Sequence, residues 1–201
     1  RRGGATYIET FKAALEDRPR VVLLHQWNEF AGQAEGQGYG PNRDIYVDSY
    51  SVELSDDLEP VSLTAPGYRG DKGGWGFYYL NLTRALLDKL RGKASEDTLL
   101  AIGSPIEKQI VSDRTLKLEW TFLGPKPSGY EIKLDSQTVA SIREGCAYEL
   151  NVSKLSEGTH TVEIVAQGVS TRYALSHGEM DIISEKQLPV SAKVLFVLKK
   201  N

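Results

Sequence analysis

The stretch "TLKLEWTFLGPKPSGYEIKL", Thr115 to Leu134, decides the fold of the C-terminal half. Leu116, Leu118, Trp120 and Phe122 stand at every second position; "GPKPSG" interrupts them; Tyr130, Ile132 and Leu134 resume the same spacing. Successive side chains of a strand point to opposite faces, so a period of two predicts strands with one apolar and one polar face. Glycine and proline between them punctuate the chain as a turn. The pattern recurs at Tyr148, Leu150 and Val152, at Val162, Ile164 and Ala166, and at Val190, Ala192, Val194, Phe196 and Leu198. "LDSQ", "LSEGTH" and "SHGEMD" supply the intervening turns. Short alternating strands at this spacing predict an antiparallel sandwich of roughly 100 residues.

Upstream the grammar differs. Tyr7, Ile8, Phe11, Ala14 and Leu15 fall on one face of a helix, with Thr6 and Glu9 spaced as a capping box at its start. "DRPR" at 17–20 ends that helix, and "VVLLHQW" from Val21 is apolar without alternation, as in a parallel strand buried on both faces. A second helix is expected after "GDKGG", with Trp75, Tyr78, Tyr79, Leu82, Leu86 and Leu90 on one face. "RGKASED" at 91–97 suits a linker. The expected fold class is therefore an α/β segment, residues 1–92, followed by an all-β immunoglobulin-like sandwich, residues 93–201.

Composition removes several function classes. Of 201 residues, 40% are hydrophobic and 25% charged, and the net charge of -3 comes with no basic run that would follow a polyanion, so no nucleic-acid partner is expected. "VVLL" and "AKVLFVL" are far shorter than the ~20 residues of a membrane-spanning helix, so no membrane span is expected. The single cysteine, Cys146, leaves no internal disulfide and no cysteine-based metal site. His25, His160 and His177 are isolated, the acidic "ELSDDLEP" at 53–60 lacks calcium-loop spacing, and "GQGYGP" lacks the Lys-Ser/Thr of a phosphate loop. No metal or other cofactor is called for.

The chemistry concentrates in "QWNEFAGQAEGQGYG", Gln26 to Gly40. It follows the apolar segment, and in α/β folds ligands bind at the carboxyl ends of the strands. Trp27 offers a flat apolar face for a sugar ring, Asn28 hydrogen-bonds hydroxyls, and a carboxylate such as Glu29 becomes a general acid or base when desolvation raises its pKa. Cleaving a glycosidic bond usually takes two carboxylates, about 5–5.5 Å apart for retention or about 6.5–9.5 Å apart for inversion. Glu35, Asp44 and Asp48 are the nearby candidates for the second. Gln26, Tyr39, Tyr46 and Asp48 complete the expected substrate-binding set.

"QWNEF…EG", "DIYVDSYSVELSDDLEPV" and "GGWGFYYLNLTRALL" together resemble the last strand and last helix of (β/α)8 glycoside hydrolases whose barrel ends in a Trp-Asn-Glu motif, the endo-α-mannosidase-like barrels and relatives. The resemblance covers about residues 1–92 and implies catalysis by Glu29 on an oligosaccharide or polysaccharide, in a secreted or periplasmic bacterial protein. In that group a second glutamate followed by glycine commonly lies three residues after the first. Here position 32 is Gly32 and the pair is Glu35-Gly36, so Glu35 carries over only with a three-residue insertion. "LSEGTHTVEIVAQG" resembles a strand and corner of fibronectin type III and related immunoglobulin-like modules.

One parallel strand and two helices cannot bury their own apolar faces, so the chain is expected to be the C-terminal part of a longer polypeptide whose remaining barrel is its partner. Two other functions compete with hydrolysis: a non-catalytic carbohydrate-binding or adhesive module, and a sandwich that docks another protein with the first half as its anchor.

Overall fold

The computed structural model describes residues 2–25, 27, 41–42, 58–64, 74–173 and 184–200. Among these, a short 3-10 turn at Arg2–Gly4 and two α-helices precede eight strands in two sheets, so the described chain is mostly β. Helix α1 is Ala5–Asp17 and α2 is Tyr78–Leu90. The strands are β1 Leu99–Ser104, β2 Gln109–Val111, β3 Thr115–Leu123, β4 Gly129–Leu134, β5 Gln137–Ile142, β6 Ala147–Asn151, β7 Gly158–Thr171 and β8 Leu188–Leu198.

The period-two segments become strands with the expected faces. Strands β1, β3 and β6 form an antiparallel sheet in the order β1-β3-β6, and Leu118 of β3 lies opposite Tyr148 of β6. The second sheet runs β2-β8-β7-β4-β5, with Ile132 opposite Ile164 and Val162 opposite Val194; β2 joins its edge in parallel to β8. Leu118, Ile132, Val162, Ile164 and Phe196 are wholly buried between the sheets. "GPKPSG" carries the chain from one sheet to the other, because β3 and β4 are not paired. Trp120 packs edge-on against Tyr130, ring centroids 5.1 Å apart, at that crossing. Cys146 is half-buried just ahead of β6.

Strand β1 serves two cores. Leu100 and Ile102 face the sandwich interior, while Leu99 and Ala101 pack with α1 and α2 in a second cluster built on Ile8, Phe11, Trp75, Leu82 and Leu86. The three-stranded sheet is thus the middle layer between helices and the larger sheet, and this mounts the helical layer on the sandwich.

Four expectations need correction. Helix α1 starts at Ala5, with Gly4 in the left-handed region (φ 86°) as its N-cap and no side-chain cap, so Thr6 and Glu9 form no capping box. Thr6 is already inside the first turn, and Glu9 pairs with Lys12 at 2.8 Å instead. Trp75 is buried but precedes α2, which begins three residues later. Residues 21–25 form neither strand nor helix, and Val21 and Leu23 are 80% and 81% exposed, so no strand buried on both faces stands there. A parallel strand needs neighbours to accept its hydrogen bonds, and none is present among the described residues. The stretch 91–97, finally, is packed rather than a free linker. The Lys89 ammonium donates to the carbonyls of Ala94 (2.8 Å) and Asp97, and burial lowers it to about 8 although Asp97 and Glu96 pull the other way. Asp97 accepts from Arg172 Nε (3.0 Å), Nη2 (2.9 Å) and backbone N–H (2.9 Å).

At the far end of the sandwich His160 is held by Asp135 (Nδ1 to Oδ2, 2.7 Å) and by the Ser156 carbonyl (2.9 Å), with its ring 5.6 Å from Phe196. The Asp135 hydrogen bond raises the imidazole above its ordinary value, against the opposing effect of burial. Burial pushes the Asp135 carboxyl up, but His160 and the Thr161 N–H together hold it below its ordinary value. The His160 contribution to stability is therefore complete below about pH 6.5 and is lost as pH rises through its raised pKa. The Asp135 contribution is present above about pH 3.9 and is lost as pH falls through its lowered pKa. Lys89, lowered to about 8 by burial, acts in the opposite sense as pH rises, so urea midpoints from pH 3 to 9 are compared between the protein and His160→Asn. The advantage of the protein over the variant is expected to be largest between these limits and to shrink on the alkaline side, and a difference that does not change with pH would mean that the imidazole charge contributes nothing.

Candidate functional site

The described part of the expected site is its frame. Trp27 is 52% exposed, and its carbonyl accepts the N–H groups of Leu58 (3.2 Å) and Glu59 (2.9 Å). Trp27 and Leu58–Glu59, which flank residues 28–57 in the sequence, are thereby joined by backbone hydrogen bonds. The Glu59 carbonyl in turn accepts the indole N–H of Trp75 at 2.8 Å. Trp75 is wholly buried and meets Tyr79 edge-to-face, 6.1 Å between centroids. The indole ring fills the core while its one polar atom reaches the carbonyl, as a buried tryptophan requires.

Two further bonds hold the return limb. Gly74 N–H donates to the Ser62 carbonyl (2.9 Å) and Gly76 N–H to the Val61 carbonyl (2.8 Å), bridging Val61 to Gly76. A β-carbon at Gly74 would come within 2.6 Å of the Val61 carbonyl oxygen and 2.7 Å of that of Ser62, so only glycine lets these limbs approach. Gly74→Ala is expected to cost about 1–3 kcal/mol by overpacking, measured by urea unfolding. A cost near zero would mean that the limbs separate freely.

The helices stand under this frame. Tyr78 Oη donates to the Gly3 carbonyl (2.9 Å), and Tyr7 and Thr83 hydroxyls meet at 3.1 Å, tying α2 to α1. Gly4 approaches α2 so closely that a β-carbon there would lie 2.9 Å from Leu82 Cδ2.

Of the residues expected from sequence to form the site, Trp27 is described and stands half-exposed at the frame's edge. Gln26, Asn28, Glu29, Glu35, Tyr39, Asp44, Tyr46 and Asp48 lie outside the described residues. His25, just before them, is exposed rather than a core histidine. The Trp75–Glu59–Trp27 relay was not foreseen. Its signal in the sequence was "GGWG", small residues crowding a tryptophan ahead of a helix. Among the described residues no group of three His, Cys, Asp or Glu side chains could hold a metal, and no helix is long and apolar enough to cross a membrane.

Neither a family model nor a curated protein matches the chain. Solved structures do match over part of it. They include the fibronectin(III)-like modules of Clostridium thermocellum CbhA, 23% identical over 51% of this chain and 98% of that one, with a TM-score of 0.33. An endo-beta-1,4-mannanase from Thermotoga petrophila is 8% identical over 58% of this chain and 23% of that one, TM-score 0.39. An engineered protein is 10% identical over 73% and 33%, TM-score 0.34. The chain thus spans about a quarter of the mannanase and a third of the engineered protein. These superpositions are too loose to assign an activity.

Proposed function

We propose that residues 1–92 close a (β/α)8 barrel, that residues 93–201 are an immunoglobulin/fibronectin III-like sandwich packed on it, and that the complete protein hydrolyses glycosidic bonds with Glu29 as acid/base. The observation that carries this reading is the alternation at Val21–Leu24. Val22 and Leu24 pack on the helical core, while Val21 and Leu23 project into solvent. A barrel strand has this division of faces: one side lies on the outer helices, here α1 and α2, and the other points into the barrel. Burying a Val or Leu side chain is worth about 1.5–3 kcal/mol each, so the exposed pair forgoes several kcal/mol that neighbouring strands would recover.

Three residues beyond Leu24 comes Trp27 with its half-exposed indole, a platform of the kind a sugar ring stacks on. In this reading Asn28 binds a substrate hydroxyl, and Gln26, Tyr39, Tyr46 and Asp48 line the cleft. The second carboxylate is Glu35 or one from the rest of the barrel. A polysaccharide substrate fits a secreted or periplasmic bacterial protein.

The exposed Trp27 also favours a second reading, in which a glycan is held and not cut. The longest natural polypeptide containing this sequence, incubated with soluble polysaccharides, distinguishes them: new reducing ends support hydrolysis, and calorimetric binding without new reducing ends supports the binding module.

A further inference from the structure

We propose that Trp75 is a positioning residue for Trp27, acting through the backbone of Glu59; this rests on the proposed function only for the sugar that Trp27 would meet. Trp75 reaches no ligand itself, being wholly buried, but its N–H fixes the Glu59 carbonyl at 2.8 Å. Glu59 carries both this carbonyl and one of the N–H groups bonded to Trp27, and only its own two soft torsions separate them, so fixing the carbonyl restricts how that N–H can turn. Those N–H groups, on Leu58 and Glu59, are the two donors to the Trp27 carbonyl. The relay therefore runs from the packed start of α2 to the backbone that carries the exposed indole, through three hydrogen bonds of 2.8–3.2 Å. Trp75 itself has little freedom. Tyr79 meets its ring edge-to-face, and Gly74 and Gly76, on either side, donate to the Ser62 and Val61 carbonyls. Such support favours a binding platform, since an aromatic face whose orientation is set before the ligand arrives loses less entropy on binding.

The test separates the N–H from the ring. Replacing Trp75 in the full chain by 3-benzothienylalanine keeps the fused-ring shape and puts sulfur where the indole has N–H. Backbone amide exchange is then read at Leu58 and Glu59, with Leu82 and Leu86 inside α2 as the reference. The protection of Leu58 and Glu59 is expected to fall about tenfold, as for one lost hydrogen bond, while Leu82 and Leu86 stay within about twofold. Trp75→Phe, which also lacks the N–H, serves as the second variant and should show the same difference between the two regions. Unchanged protection at Leu58 and Glu59 would overturn the proposal, and so would an equal fall at all four amides, which would make Trp75 a packing residue only. No sugar enters this experiment. A polypeptide found to have no hydrolytic activity would defeat the proposed function and leave the positioning result standing.

Discussion

Glu29→Gln, in the longest natural polypeptide containing this sequence, is expected to lower turnover by about 10²–10⁴-fold, the range of a lost general acid or base. Glutamine keeps the size of the side chain and one carbonyl oxygen, but it can neither give nor take the proton at the glycosidic oxygen or the attacking water. Substrate affinity is expected to stay within about threefold, because the interaction removed acts in the transition state rather than in the bound substrate. A fall in turnover with retained affinity distinguishes catalysis from the binding module, in which Glu29→Gln changes affinity and there is no turnover to lose. Wild-type turnover in the variant would exclude Glu29 as acid or base. Glu35→Gln, tested in parallel, decides whether the glutamate six residues on is the second carboxylate.

Arg172→Met is expected to destabilise the protein by about 3 kcal/mol, close to a hundredfold in the folding equilibrium. The Asp97 side chain is 2% exposed and accepts two of its hydrogen bonds from the Arg172 guanidinium, which also donates to the Lys93 carbonyl at 3.1 Å. Methionine removes that cation and leaves the Asp97 carboxylate with the Arg172 backbone N–H, a long contact to Gln187 at 3.5 Å and the field of the nearby Lys89 ammonium, which offsets part of the loss. Breaking a buried pair from one side costs about 3–5 kcal/mol, because the remaining charge stays out of water. Arg172 is itself 38% exposed, which moves the expectation to the lower end of that range. Urea unfolding measures it, and a loss under about 0.5 kcal/mol would mean that water screens the pair as at an ordinary surface. The position matters because Asp97 lies between α2 and β1, so the pair also fastens the helical layer to the sandwich.

The sandwich was legible in the sequence because burial writes itself directly into a period of two. Leu116, Leu118, Tyr130, Ile132, Leu150, Val162, Ile164, Val194 and Phe196 all took the inward positions that alternation assigned. Strand β1 was harder to see. "LLAIGS" is continuously apolar because Leu99 and Ala101 face the helices while Leu100 and Ile102 face the sandwich. A strand covered on both sides carries no alternation to read. The joint at 91–97 was misjudged for a related reason: Lys89 and Asp97 look like surface charges until Arg172, 75 residues further on, is seen to meet Asp97. For Val21–Leu24 the sequence suggested a strand, yet strand formation depends on neighbours, and local sequence carries no information about whether they are present. At the candidate site the sequence left Trp27 open between stacking on a sugar and packing, and its bond to the Glu59 backbone, with Trp75 behind it, depends on a carbonyl that no side-chain pattern reveals.

In the proposed barrel, Val21–Leu24, which form neither strand nor helix in this chain, become a strand of a sheet that other residues complete. Leu23→Cys provides the measurement, with the half-buried Cys146 as the internal standard. Maleimide labelling of the introduced thiol is compared in the 201-residue chain and in the longest natural polypeptide that contains it. Labelling is expected to be fast in the chain alone and slowed about a hundredfold or more in the longer polypeptide, where the barrel interior would cover position 23. Equally fast labelling in both would contradict the proposed barrel.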